Sequence, residues 1–115
     1  MQIADKNWLT QVNTILQENI NNPHFNNINL AQVLYISERT LHRKIKKITN
    51  LTPLQYSRMY KLQQAKILLH QGPFKTVKEV ALAVGFIDTA YFSQRYEEIF
   101  KRRPITILKY RIWQE

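Results

Sequence analysis

Apolar residues recur every three to four positions through most of the chain, which is the spacing of helices with one buried face. Trp8, Val12, Ile15, Leu16 and Ile20 mark a first helix, with Asp5 expected as its cap and its end near Asn21. "NNPHFNN" interrupts it, because Asn and Pro favour turns. Asn29 is expected to cap a short second helix, Leu30 to Leu34, and Ser37 a third that runs to about Ile48. "TPLQ", residues 52–55, combines a capping box with Pro at the first helical position. It opens a long fourth helix that Gly72-Pro73 stops after Gln71. "TVKE", 76–79, opens a fifth helix ended by Gly85; Asp88 caps a sixth to about Phe100; Pro104 starts a seventh to about Trp113. The last residues are expected to fray. No segment sustains strand alternation, so the pattern predicts an all-α fold of about seven helices.

Two parts of this series repeat each other. Leu41, Arg43, Ile45, Ile48 and Pro53 match Phe92, Gln94, Tyr96, Ile99 and Pro104 at a constant offset of 51. Leu30, Ala31, Leu34 and Ile36 match Val80, Ala81, Val84 and Phe86 at an offset of 50, so the second turn holds one extra residue. Nine matches in one order describe two copies of a short-helix, turn, long-helix unit. Ala31 and Ala81 permit close helix approach, and Tyr35-Ile36-Ser37 is a turn of helix-turn-helix length. Gly85, four residues after Ala81, suits a turn that needs positive φ. The fourth helix, at about 1.5 Å per residue, would span roughly 28 Å between the copies.

Charge gives the third helix a second character. "SERTLHRKIKK", 37–47, carries five cations and one acid, and no acid occurs between Arg39 and Lys78. On a helical wheel Leu41, Ile45 and Ile48 share one side. Arg39, Thr40, His42, Arg43, Lys46 and Lys47 then face outward. Over the whole chain 17 Lys+Arg stand against 8 Asp+Glu, a net charge of +9, which points to a polyanionic partner. A helix-turn-helix unit puts its second helix in the major groove of duplex DNA.

Other chemistries find little here. Cysteine is absent, which removes disulfides and thiolate metal sites. His24, His42 and His70 lack ligand spacing, so no metal is expected, nor any other cofactor. With no phosphate-cradling glycine loop and no His–carboxylate motif, the chain is read as not an enzyme, and no small-molecule ligand is expected in this segment. No apolar run approaches the roughly 20 residues that span a bilayer, and the first ten residues form no signal peptide. A cytoplasmic setting is expected, with any membrane anchor left to a longer parent. Trp8, Phe25, Tyr91, Phe92 and Tyr96 read as packing residues before base-stacking platforms.

"VKEVALAVGFIDTAYFSQRYEEIFKRRP" and "LAQVLYISERTLHRKIKKITNLTPLQYSRMYKLQQAKILL" resemble the two halves of the DNA-binding domain of AraC/XylS-family transcription regulators. The match runs from about Ile28 to Leu108. The resemblance implies two helix-turn-helix subdomains on a connector helix: 1–22 an N-terminal helix or linker end, 23–52 the first subdomain, 53–71 the connector and 72–115 the second. It implies recognition helices at about 37–48 and 88–100 in successive major-groove segments. Carried over by position, Arg39, His42 and Arg43 would read bases in the first, with Thr40 beside them. Thr89, Ala90, Tyr91 and Gln94 would read in the second. Lys46, Lys47, Ser93 and Arg95 would contact the backbone. Three departures stand out. Tyr35 replaces a small turn residue and is expected to strain its turn. Gln94 stands where Arg is common. Glu97 and Glu98 replace a basic pair, so less of the reading falls to the second unit.

"DKNWLTQVNTILQENINNPHFN", 5–26, resembles the segment preceding this domain in hybrid two-component regulators. That implies a covalently attached sensor or receiver region, and RNA polymerase as a partner. The rival readings are a free-standing small activator of the same family, a membrane-surface helix at 37–48, and a non-specific nucleic-acid or protein-interaction module.

Overall fold

The computed structural model describes residues 1–114. Those residues form seven helices and no strand: α1 (Ile3–Glu18), α2 (Asn27–Val33), α3 (Glu38–Thr49), α4 (Pro53–Gln71), α5 (Val77–Ala83), α6 (Thr89–Phe100) and α7 (Pro104–Gln114). They divide into two compact units. The first comprises Met1–Ile20 and His24–Tyr60; the second takes Asn21–Pro23 and the chain from Lys61, so α4 contributes to both.

Local chemistry sets most helix starts. The Ser37 side chain accepts from the Thr40 N–H, Thr76 from Glu79 and Asp88 from Tyr91. Thr52 and Gln55 exchange bonds, Thr52 N–H to Gln55 Oε1 at 2.9 Å and Gln55 N–H to Thr52 Oγ1 at 3.2 Å, just ahead of Pro53. Two expected caps are corrected. Asp5 does not cap α1: the helix begins at Ile3, ends at Glu18 and has Gln2 at its N-cap without a side-chain bond. The Gln2 carbonyl accepts from Lys6 at 3.0 Å, which carries the helix back past Asp5. Asp5 lies in the first turn, where it still favours the helix dipole. Asn29 does not cap α2 either. Asn26 does, and Asn29 returns a bond to the Asn26 N–H, each at 3.0 Å. That pairing satisfies two backbone donors, where an Asn29 cap would satisfy one.

In the first unit Val12 and Leu16 of α1, Leu30 and Ala31 of α2, and Leu41 and Ile45 of α3 form one buried cluster. The α1 helix is therefore part of this core. It is also tied to α4, since the Tyr56 hydroxyl donates to Asn13 at 2.5 Å and the Tyr60 hydroxyl to Gln17 at 2.8 Å. On the neighbouring side the Lys44 ammonium of α3 lies 4.3 Å from the Trp8 ring centre.

In the second unit α5, α6 and α7 pack on one another. Leu62, Ala65 and Leu69 of α4, Val80, Ala81 and Val84 of α5, Phe92 and Tyr96 of α6, and Ile107 and Leu108 of α7 are buried there. An aromatic series, Phe86–Phe92–Tyr96–Phe100, runs through this core at centroid spacings of 5.3, 6.0 and 4.6 Å. Arg111 closes the end of α4: its guanidinium donates to the Leu68 carbonyl at 3.0 Å, to Gly72 at 2.5 Å and to Phe74. A Cβ at Gly72 would meet the Leu68 carbonyl oxygen at 2.6 Å, so this turn needs glycine.

The sequence repeat is also a backbone repeat. Ile36 donates to the Ala31 carbonyl at 3.1 Å and Phe86 to Ala81 at 2.8 Å. Gly85 has φ 86 and its counterpart Tyr35 φ 58, while the C-caps Asn50 and Lys101, 51 apart, have φ 62 and 59. The extra residue of the second turn is the exposed Ile87. Glycine adopts φ 86 without cost; a tyrosine at φ 58 does not. Tyr35→Gly is expected to stabilise the first unit by about 0.5–1 kcal/mol, the left-handed cost less glycine's extra chain entropy. Urea denaturation checks this, and a loss of stability would contradict it.

Tyr96 is fully buried and its hydroxyl has no hydrogen-bond partner. Burial pushes its pKa up to about 12, against an opposing pull from Arg102. Below pH 10 the phenol is neutral in both folded and unfolded chains. As pH rises past 10 the unfolded chain ionises first, so this group withdraws stability between about pH 10 and 12. Tyr96→Phe is expected to remove that alkaline loss. It should also raise stability at neutral pH by up to about 1–3 kcal/mol by deleting an unpaired buried hydroxyl. Thermal melts at pH 7 and 11 compare the two chains.

Candidate nucleic-acid interface

The α3 helix is divided lengthwise. Leu41 and Ile45 have no solvent exposure, whereas Arg39, His42, Arg43, Lys46 and Lys47 are exposed. With Thr40 these five side chains line one open depression on the first unit. The apolar side fixes the helix against α1 and α2, which in turn fixes what the opposite side presents. Thr40 is half-buried and its hydroxyl accepts from the Ser37 hydroxyl at 3.0 Å, so it is held within the cap. The Lys46 ammonium donates to the Asn50 carbonyl at 3.2 Å, a surface bond at the helix C-terminus. Arg39, His42, Arg43 and Lys47 stand around it as exposed hydrogen-bond donors and charges.

The α6 helix has the same docking side, with Phe92 and Tyr96 buried, and a different outer side. Ala90, Tyr91 and Gln94 are exposed, and Thr89 and Ser93 are half-buried. Tyr91 is 42% exposed, with its ring 6.2 Å from Phe86, so it is part packing residue and part surface. Arg95 is engaged locally: it donates to Glu98 at 2.7 Å and its guanidinium lies 5.4 Å from the Tyr91 ring centre. The family resemblance places Arg95 at the backbone, whereas the structure engages it with Glu98 and Tyr91, partners that the i, i+3 and i, i+4 spacing on one helix would have signalled.

The expected site residues therefore fall on two surfaces, one in each unit. Among the described residues no group of three or more His, Asp or Glu side chains gathers to hold a metal, and no helix is long and apolar enough to cross a membrane.

A family model described as a helix-turn-helix domain matches residues 30–110. The chain is 30% identical over 100 residues to histidine kinase P4 of Formosa agariphila, covering 87% of this chain and 7% of that protein. It is 36% identical over 75 residues to the transcriptional activator RhaS of an Enterobacter strain, covering 65% of this chain and 27% of RhaS. The chain thus spans roughly a quarter or less of these curated relatives. A transcriptional regulator from Chromobacterium violaceum, with an AraC-type DNA-binding domain, superposes with a TM-score of 0.83 at 26% identity, covering 96% of each chain. The DNA-binding domain of AdpA, solved in complex with a target DNA, superposes at 0.78 with 27% identity, covering 90% of this chain and 93% of that one. The buried and exposed sides of α3 and α6, the duplicated turn and these matches agree: the chain belongs to the AraC/XylS-type helix-turn-helix family of DNA-binding domains.

Proposed function

We propose that this chain is the duplex-DNA-binding part of a bacterial transcription regulator and that α3 and α6 each enter a major-groove segment. The observation that carries this reading is the division of α3, a fully buried apolar side beneath an outer side of exposed cations and donors. A guanidinium presents two parallel donors that match guanine O6 and N7, and a glutamine amide matches adenine N6 and N7. Arg39, His42 and Arg43 are assigned to bases in the first unit, with Thr40 at the groove edge. Thr89, Ala90, Tyr91 and Gln94 take that place in the second, where Ala90 offers only apolar contact. Lys46, Lys47 and Ser93 are assigned to phosphates; Arg95, expected there from the sequence, is held by Glu98 and Tyr91 and is left out of the contact set. The AdpA complex supports duplex DNA as the ligand.

The parent protein is proposed to carry a sensor or receiver region ahead of this segment and to act with RNA polymerase in the cytoplasm. The likeness to histidine kinase P4, over a small fraction of that protein, supports the longer parent.

Binding to duplex DNA measured across salt concentrations tests the reading. Affinity is expected to fall steeply with salt, and Lys46→Ala to make the log–log slope shallower by about one, weakening all sequences alike. Salt-insensitive binding to a protein, without duplex affinity, would contradict it.

A further inference from the structure

We infer that the second unit draws its charged grip on the DNA backbone from the turn between α6 and α7, with Lys101, Arg102 and Arg103 as its phosphate contacts, and not from Arg95 of α6. The inference rests on the duplex-binding reading above and adds three residues to it.

The first unit carries its charge on the helix. Arg39, Arg43, Lys46 and Lys47 are exposed along α3. The segment that follows, Asn50 to Thr52, is uncharged, and Thr52 is closed into a capping box with Gln55. The second unit inverts this distribution. Arg95, the one cation of α6, is bonded to Glu98 and lies over Tyr91, while Glu97 remains exposed. One cation against two acids leaves the surface of α6 net negative, which opposes approach to phosphate. The three positions at an offset of 51 from Asn50–Thr52 are Lys101, Arg102 and Arg103, all exposed.

These three cations project from a fixed backbone. Lys101 holds φ 59 and donates its N–H to the Glu97 carbonyl at 2.9 Å. The Arg103 carbonyl accepts from Thr106 at 3.1 Å, and the next residue, Pro104, is buried. A lysine at positive φ is held there by the turn, which sets the directions of the side chains around it. Guanidinium groups match phosphate oxygens in bidentate geometry, and the start of α7 adds the positive end of a helix dipole. Charge removed from the reading helix has thus been restored in the turn that ends it, as phosphate binding requires and base reading does not.

The test is the salt dependence of binding to a mixed-sequence duplex, read by fluorescence anisotropy between about 50 and 200 mM salt. The chain is compared with an Arg102→Ala/Arg103→Ala double variant and with Arg95→Ala. All substituted side chains lie at or near the surface, and circular dichroism melts verify that each variant folds. The double variant is expected to show a slope shallower by about 1.8, two contacts at about 0.9 each. Arg95→Ala is expected to keep the parent slope. An unchanged slope in the double variant, or a slope that falls in Arg95→Ala alone, overturns the inference while the parent's own steep slope leaves the duplex reading standing. A parent chain without salt-dependent duplex binding overturns both.

Discussion

Phe92→Ala is expected to lower the stability of the second unit by about 3–5 kcal/mol, the cost of emptying a buried aromatic site. Phe92 has no solvent exposure and stands between Phe86 at 5.3 Å and Tyr96 at 6.0 Å. Its removal leaves a cavity beneath α6 that the neighbouring rings cannot close without moving. Small domains have only about 5–15 kcal/mol in total, so the loss would unfold much of the population or bring it close to unfolding. Gln94→Ala, two residues away on the exposed side, is expected to change stability by no more than about 0.5 kcal/mol. Urea titrations of both variants, followed by circular dichroism, separate docking from presenting positions. Equal effects at the two sites would mean that α6 is not anchored as described.

Arg43→Ala is expected to cost about 1–3 kcal/mol of discrimination at one base pair and little at the others. Arg43 is exposed, one residue past the His42 of the same outer side, and its backbone is held by Leu41 and Ile45 beneath it. Its loss should therefore leave the fold intact. The expected phenotype is a relaxed preference at the base pair proposed for Arg43, with the salt slope nearly unchanged. Arg39→Ala should relax a different position. Measured relative affinities for single-base operator variants give the answer, and unchanged relative affinities in Arg43→Ala would exclude its direct reading of a base.

Much of the architecture is legible in the sequence because its signals are local. Ser37, Thr76 and Asp88 cap helices with their own side chains, and Thr52 with Gln55 does so reciprocally, so composition alone marks those starts. The positive φ at Tyr35 is legible for a different reason: the repeat aligns it with Gly85. Two starts are not legible, because the deciding interaction is ambiguous or silent in sequence. Asn26 and Asn29 are the same residue type three apart, and only their reciprocal bonds reveal which caps. At α1 the first turn is held by the Gln2 backbone, which no side chain announces. The Arg111 clasp joins residues 37 to 43 positions apart, beyond the reach of any helical spacing. Within the candidate site, the outward residues of α3 follow from periodicity. The binding of Thr40 to Ser37 and of Arg95 to Glu98 does not follow from which side a residue faces; it depends on the neighbours that share that side.

The presence of α1 in the first core has a functional consequence. Val12 and Leu16 bury against Leu41 and Ile45, and Lys44 lies over Trp8, so α1 packs directly behind the exposed, cationic side of α3. The placement of the outward arginines thus depends on α1.

Two unequal helices reading one stretch of duplex would leave an uneven imprint on the sequences they retain. Selection of bound sequences from a random duplex library, at low and at high salt, reads that imprint. The expected result is a motif with two half-sites about one helical turn apart, the half assigned to α3 more sharply defined and retaining guanine at high salt. Enrichment of no motif, with binding that simply fades as salt rises, would contradict it.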